Sequence, residues 1–558
     1  MKPFVVSALI SLSILHAGYQ NSSADWPQDG APVSVAPFIQ QMPAVAPDGA
    51  GGVIVAWLDT RNGTYYHIYA QRVDGSGDAV WATDGVAVST ELSHNPPAIV
   101  SDGASGAVIA WSVYPKVYAQ RLDASGSALW TVEVNDNDGG VPTMVSDGVG
   151  GAVVAWAGTY QGVSGVYAQR IDASGNRMWA TKVPLSEGAG ECHPTIVSDG
   201  ASGGIAMWWN SDLIRDQDIF VRRVDASGNA LWVPGGVKLC DNANAGFYTS
   251  TYPVITADDN GGAIVAWTDW RNVAQGGISI YAQRVSALGQ PAWAPNGVVL
   301  CNDTAAQDHY PRIVPDDAGG AIVAWTDFRT AMSDIYAGRI SASGNALWTP
   351  NGVPVGADNM NLKSNAVVVG DGVGGAIVAW MESPNGGPAD FKIYAGRLDA
   401  AGNKVWAADG VPISTNGESM YPAIASDGTS GAIVTWDDYR NDYTDIFARR
   451  VLASGDVATS VTRPGRPPSL LAGEVYPNPF AGSASIGLEL SEPSAVRIEV
   501  FDVAGRSVRV MALREAAVQH SVEFDGRDHN GRLLPSGVYF FRVEAAGESI
   551  TRKMVIAR

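Results

Sequence analysis

Between residues 26 and 460 the hydrophobic positions fall in short runs of β-branched and aromatic residues, each closed by a cluster of Gly, Asp, Ser or Asn. Runs of this length with such borders predict strands and tight turns. The runs also repeat. One unit reads Pro, a few strand residues, Asp-Gly-x-Gly-Gly, an apolar run ending in Ala-Trp, a loop, Ile-Tyr-Ala-Gln-Arg-Val-Asp, Ala-Ser-Gly-Asn, Ala-Leu-Trp and Asn-Gly-Val. Its first Trp falls at Trp57, Trp111, Trp156, Trp208, Trp267, Trp325, Trp380 and Trp436, spaced 45–59 residues apart because one loop varies. Its second falls at Trp81, Trp130, Trp179, Trp232, Trp293, Trp348 and Trp406.

The second set is one short. The missing member lies at the other end of the repeat region, where Ala24-Asp-Trp26-Pro-Gln-Asp-Gly matches Ala346-Leu-Trp348-Thr-Pro-Asn-Gly. Trp26 therefore completes the eighth unit, and 16 of the 18 Trp are accounted for, leaving Trp209 and Trp270. Four strands per unit of this length is the signature of a propeller blade, which buries its faces only by stacking on neighbours. A split last unit hides an open sheet edge by pairing the first strand of the ring with its final three. The prediction is an all-β chain: an eight-bladed β-propeller with an N-terminal strand closing the last blade. An open β-solenoid would stack such units too, but has no use for a split one.

The repeated letters have physical reasons. Asp48-Gly-Ala-Gly-Gly52 and its equivalents are expected to be tight turns, with Gly at positive φ and Asp bonding the turn backbone. Asp258-Asp-Asn-Gly-Gly262 and Asp316-Asp-Ala-Gly-Gly320 lack the alternating oxygen ligands and closing Glu of a calcium loop. An Arg recurs in the third strand of every unit: Arg72, Arg121, Arg170, Arg223, Arg284, Arg339, Arg397 and Arg450. A residue present in every blade is expected to be structural, paired with a carboxylate or a carbonyl. The unit distantly resembles the Asp-box hairpin of sialidase-type propellers, but Ser101-Asp102 are adjacent and Trp111 comes too late, so no sialidase activity carries over.

The ends differ in texture. Residues 1–24 run from Lys2 through an apolar stretch, Phe4 to Leu15, into small residues, the order of a secretory signal. No other stretch reaches the roughly 18 apolar residues that span a bilayer as a helix, so the mature chain is expected to carry no transmembrane segment. Residues 460–473 are Pro- and Arg-rich and read as a linker, separating a ring over 25–459 from a module over 474–558. The net charge of −20 belongs to the repeats, since 12 of the 36 basic and 11 of the 56 acidic residues lie from Arg463 onward. Such acidity argues against a nucleic-acid partner.

In the last module, strand patterns such as Val496-Arg-Ile-Glu-Val-Phe501 and Gly537-Val-Tyr-Phe-Phe-Arg-Val543 alternate with turn signals, predicting a small Ig-like β-sandwich. Four ordered motifs appear there: Val475-Tyr476-Pro477-Asn478-Pro479-Phe480, Phe501-Asp-Val-Ala-Gly505-Arg506, Leu534-Pro-Ser-Gly537-Val-Tyr539, and Arg552-Lys553-Met-Val-Ile-Ala-Arg558. They resemble the C-terminal sorting domain of type IX secretion substrates. Phe524-Asp-Gly-Arg-Asp-His-Asn-Gly531 also resembles the Ig-like domain of the flagellar hook-capping family. The sorting resemblance implies a bacterial chain exported across an outer membrane, recognised there by the secretion machinery, and secreted or held at the cell surface. A plain Ig-like stalk is the other reading of the same module.

Candidate chemistry in the ring is sparse. Loops on one face carry Asp-x-Arg: Asp59/Arg61, Asp269/Arg271, Asp327/Arg329 and Asp438/Arg440. Residues preceding the first strands, Met42, His193, Tyr252, Tyr310 and Tyr421, are expected near the same channel mouth. Aromatic rings and Asp/Arg groups around a funnel suit a glycan or protein ligand, while Asp-x-Arg is also a plain turn with a local ion pair. His-Glu-x-x-His is not present. His94, His193 and His309 lie in equivalent loops too far apart for a metal off the axis, and neither metal nor cofactor is expected. Cys192 and Cys240 flank the fourth unit, where a disulfide is conceivable, and Cys301 is left over. The near-uniform units favour a non-catalytic binding or adhesion scaffold. The rival is a secreted polysaccharide hydrolase or lyase with its site at the channel mouth.

Overall fold

The computed structural model describes residues 26–558 except 28, 64, 94, 137–138, 161–162, 187–190, 211–217, 241–251, 272–276, 304–308, 331, 357–360, 384–389, 442, 458–469, 477–479, 491–493, 503–505, 517–518, 530 and 546–547. The signal expected over 1–24 and most of the linker expected over 460–473 lie outside the described residues. The chain divides into two compact units, residues 1–460 and 461–558.

Eight four-stranded sheets build the first unit. Sheet one consists of Gln40–Pro47, Val53–Asp59, His67–Val73 and Val86–Ser89 in sequence order. Sheets two to seven follow the same order. The eighth is composite: Ser419–Ser426, Ala432–Asp438 and Asp445–Val451 take their fourth strand from Ala31–Ser34, with Ala31 opposite Ala448. First strands of successive sheets are neighbours, and the first strand of sheet eight neighbours that of sheet one. The sheets therefore close into a ring with their first strands innermost, as the split unit requires.

Second strands read Val-Ile-Val-Ala-Trp or close to it because both of their faces are covered. Every residue of Val53–Asp59 is buried, and the core between sheets one and two joins Ile54, Ala56 and Ile68 to Ile109, Trp111 and Leu122. Each first Trp lies beside the aromatic residue opposite it on the third strand, Trp57 by Tyr69 and Trp436 by Phe447.

The repeated letters form two locks. In the Asp-Gly-x-Gly-Gly turn, Asp48 Oδ1 accepts from the amides of Ala50 and Gly52 at 2.7 and 2.8 Å. A Cβ on Gly52 would lie 2.3 Å from the Val73 carbonyl oxygen, which is why glycine stands there. The other oxygen of Asp48 takes Arg72, and the equivalent pair forms in all eight sheets, with every Asp buried and distances of 2.7–2.9 Å. The second lock joins sheets. Trp81 Nε1 donates to Ala124 O of the next sheet at 3.0 Å, and its ring covers Gly126 so closely that a Cβ there would come within 2.8 Å. Trp130, Trp179, Trp232, Trp293, Trp348 and Trp406 repeat the bond around the ring. Trp26 makes the last one, to Gly75 O of sheet one.

The second unit holds two sheets. Leu470–Tyr476, Ala484–Leu490 and Gln519–Phe524 form one, and Ser494–Asp502, Ser507–Ala516, Gly537–Ala545 and Glu548–Ile556 form the other. Its core contains Phe480, Ile486, Val500, Phe524, Phe541 and Met554.

Candidate functional site

The four Asp-x-Arg segments leave their second strands on one face of the ring and share one construction. Trp57 Nε1 donates to Asp59 Oδ2 at 2.9 Å, and Trp267 and Trp436 do the same to Asp269 and Asp438. The carboxylate is fully buried and grips the Arg, at 2.6 Å from Arg61 Nη2 to Asp59 Oδ2. That guanidinium lies over Tyr69, 3.8 Å from the ring centre, and donates to Asp84 O in the turn before the fourth strand. Arg271, Arg329 and Arg440 lie over Tyr281, Tyr336 and Phe447 and reach Asn296, Asn351 and Asp29 in the same way. In sheet seven Glu382 takes the place of the Asp and accepts from Trp380 at 2.9 Å. In sheets two, three and four, where no acid stands two residues after the Trp, Trp111, Trp156 and Trp208 leave their indole N–H without a partner among the described residues. The motif thus answers a buried donor and ties two loops together. Each Arg is engaged by the Asp two residues before it.

Nearer the axis the first strands carry a bulge. Met42, Tyr252, Tyr310, Asn365 and Tyr421 occupy equivalent places there with φ of 57°, 38°, 56°, 50° and 50°. Positive φ in a bulky residue costs on the order of 1–3 kcal/mol, and such strain gathers at functional sites. All four large side chains in this set are exposed. At two of these places the side chain after the first Trp of the preceding sheet supports the bulge. Asp437 accepts from the Met42 amide at 2.9 Å, and Met381 Sδ lies 3.4 Å from the Tyr421 amide. Burial, opposed only by the Met42 hydrogen bond, pushes the Asp437 carboxyl well above the usual carboxylate range.

Two neighbouring sheets concentrate the aromatic rings. Tyr252 and Tyr310 approach to 4.6 Å between ring centres. His309 packs 5.7 Å from Trp270, 5.7 Å from Tyr310 and 5.8 Å from Phe328. Burial alone lowers the His309 pKa, favouring the neutral ring. The expected residues Tyr252 and Tyr310 therefore meet, while Tyr421 and Met42 stand in the remote sheets eight and one. The His193 side chain lies outside the described residues.

Further into the ring, a cavity of about 220 Å³ opens among the inner strands of sheets three to six, with Val141, Thr195, Trp209, Tyr252 and Arg312 in its walls. Arg312 was not among the sequence candidates. Its signal was present: the strand register makes it equivalent to Ala44, Ala98, Thr143, Thr195, Val254, Val367 and Ala423, so one sheet in eight substitutes a cation for a small or apolar residue. Both Trp outside the repeat also fall here, Trp209 in the cavity and Trp270 in the aromatic cluster.

Cys240 and Cys301 are buried, with Sγ 3.8 and 3.4 Å from Arg271 and Arg329. Burial pushes the Cys240 thiol up to about 12, far from a reactive thiolate. The Cys192 side chain and His94 lie outside the described residues. In the second unit, Gly537 opens a strand, Tyr539 is buried with its hydroxyl donating to Pro535 O at 3.0 Å, and Lys553 is exposed opposite Phe540. Pro477, Asn478, Pro479, Gly505 and the Tyr476 side chain lie outside the described residues.

Residues 474–557 match the secretion system C-terminal sorting domain. No curated protein matches the chain. Among solved structures it is similar to a puromycin hydrolase, at 16% identity and TM-score 0.41, covering 76% of this chain and 62% of the other. It is also similar to PorZ, a surface component of the type IX secretion system of Porphyromonas gingivalis, at 13% identity and TM-score 0.35, covering 92% and 70%. An endo-arabinase from Bacteroides thetaiotaomicron matches at 13% identity and TM-score 0.27, covering 57% and 96%. The chain thus spans about three fifths of the hydrolase's length. The sorting tail makes the chain a type IX secretion substrate, secreted or displayed on the cell surface. No helix among the described residues is long and apolar enough to cross a membrane.

Proposed function

We propose that the exported ring is a non-catalytic binding module that takes a glycan at the channel mouth. The supporting observation is the cluster of exposed aromatic side chains on sheets five and six, held at the mouth by residues in strained backbone. Tyr252 and Tyr310 pay local strain to present adjacent rings, and His309 and Phe328 extend that surface. Aromatic faces of this size suit the apolar faces of sugar rings, with a few polar groups setting orientation. The Asp-x-Arg loops hold this surface in place, and Tyr421 and Met42 extend the mouth on the far side. In this reading the ring occupies 25–459 behind a cleaved signal over 1–24, and the linker at 460–473 joins it to an Ig-like sorting module that engages the secretion machinery.

The test is a glycan-binding screen on the full exported chain beside a Tyr310→Ala/Phe328→Ala variant. Retained glycans that the variant releases support the reading. Binding by the variant equal to the parent moves the site elsewhere, and cleavage of a bound polysaccharide replaces the scaffold with the hydrolase or lyase reading.

A further inference from the structure

At Arg312 the inner wall of the ring departs from its repeat toward charge. Seven sheets put Ala, Thr or Val at this register position, side chains that fill a wall and ask for nothing. The eighth instance is a guanidinium in the wall of the 220 Å³ cavity. Third-strand arginines of the repeat each have a carboxylate, and so do the four Asp-x-Arg arginines. Arg312 has none among the described residues. Its one hydrogen bond runs from Nη1 to the neighbouring Pro311 carbonyl at 3.0 Å, leaving the rest of a five-donor fork unused. Burial is the sole influence on its pKa and pulls it down, which is the mark of a cation that the surrounding protein does not compensate.

Arg312 is half-buried in the wall of an open cavity, and a partly desolvated cation without a counter-charge favours an incoming anion. The remaining walls narrow the choice. Val141 and Val254 are apolar, Thr195 offers one hydroxyl, and Trp209 and Tyr252 present aromatic surface. A bare inorganic anion would gain nothing from those walls, whereas a ring-shaped group bearing a carboxylate would use all of them. The volume is of the size of one sugar residue.

We infer that this cavity binds the carboxylate of a single uronic-acid residue, with Arg312 as a bidentate partner and Trp209 and Tyr252 against the sugar ring. The inference rests on the glycan-binding reading and deepens it, since it names acidic polysaccharides as the ligand class. Guanidinium and carboxylate match geometrically as two parallel hydrogen bonds.

The experiment is calorimetric titration of the full chain with galacturonate and glucuronate oligomers, neutral galactose and glucose oligomers, and tetraglutamate. Arg312→Gln, Arg312→Lys and Tyr310→Ala variants run in parallel, each with its unfolding temperature. Uronate oligomers are expected to bind and the neutral ones to bind at least about ten-fold more weakly, one decade being the loss of a single good polar contact. Arg312→Gln is expected to lose that preference while unfolding at the same temperature or higher, because it removes an uncompensated charge. Arg312→Lys is expected to keep part of it, since a point charge replaces a fork. Uronate binding untouched by Arg312→Gln overturns the inference, as does a preference for tetraglutamate. A fall in unfolding temperature with unchanged binding makes Arg312 a structural residue. Binding of neutral oligomers that Tyr310→Ala abolishes and Arg312→Gln does not would leave the glycan reading standing and this inference fallen. Binding of no oligomer would end both.

Discussion

Trp26, the first residue described, donates its indole N–H to the carbonyl of Gly75 in the opening sheet at 3.2 Å, and so bonds the composite eighth sheet to the first. Its ring is completely buried and covers Gly77, where a Cβ would approach to 2.9 Å at a φ of +89°. Arg450 reaches the same Gly75 carbonyl at 3.3 Å. Beginning and end of the ring thus converge on one carbonyl oxygen.

Replacing Trp26 with Ala should therefore destabilise the ring as a large core truncation does, by about 3–5 kcal/mol. Gly77→Ala should act in the same direction by colliding with the indole. Chemical denaturation of both variants checks this. Unfolding midpoints equal to the parent would show that the closure contributes nothing.

Asp59→Ala should cost about 3–5 kcal/mol, because it strands Arg61 above Tyr69 and leaves the Trp57 indole N–H without its acceptor. The combined Arg61/Arg271/Arg329/Arg440→Ala variant should consequently lose stability in four sheets before it reports on any ligand. Thermal unfolding of the single and combined variants checks this. Parent-like stability would return the four arginines to the list of free recognition groups.

Asp437 supplies a pH dependence. Its folded pKa is raised by burial while the unfolded value is about 3.9. The native state then holds the proton more tightly than the unfolded one, so the contribution is complete below the unfolded value. It is lost as pH rises through the interval up to the raised one. Asp437→Asn keeps an oxygen for the Met42 amide and carries no charge. It should be more stable than the parent at neutral pH and should match it near pH 3. A variant less stable at both values would contradict this.

His309 acts with the opposite sign. Burial among Trp270, Tyr310 and Phe328 lowers its pKa below the unfolded value of about 6.5. Stability is intact above that value and is lost as pH falls through the lowered one. His309→Phe should flatten the profile between pH 7 and 5, as read by denaturation at each pH. Glycan binding by the aromatic cluster should weaken in the same range in the parent alone.

Much of the architecture was legible because each repeated letter answers a backbone need that cannot be met otherwise. Counting Trp located the split sheet, since a lock needing one indole per sheet left a vacancy that Trp26 alone could fill. The third-strand Arg was legible as structural for the same reason, and its partners are the Asp of the Asp-Gly-x-Gly-Gly turns. Asp-x-Arg was readable as a turn with an ion pair. Its larger role was hidden because the indole that Asp59 satisfies and the Tyr69 face beneath Arg61 become neighbours only across a strand pair. Arg312 and Trp209 were missed for a different reason. A repeat draws attention to what recurs, while a single site is written in what departs from it, and that departure shows only once the register of all eight inner strands is known.

The locks between sheets carry no address. Each sheet offers the one before it the same carbonyl and the same bare glycine, and each presents the same indole in return. Nothing in that exchange tells the eighth sheet which molecule its fourth strand belongs to. The five residues 35–39 between Ala31–Ser34 and Gln40 make that assignment, held by the Val35 amide on Asp84 and the Ile39 amide on Thr60.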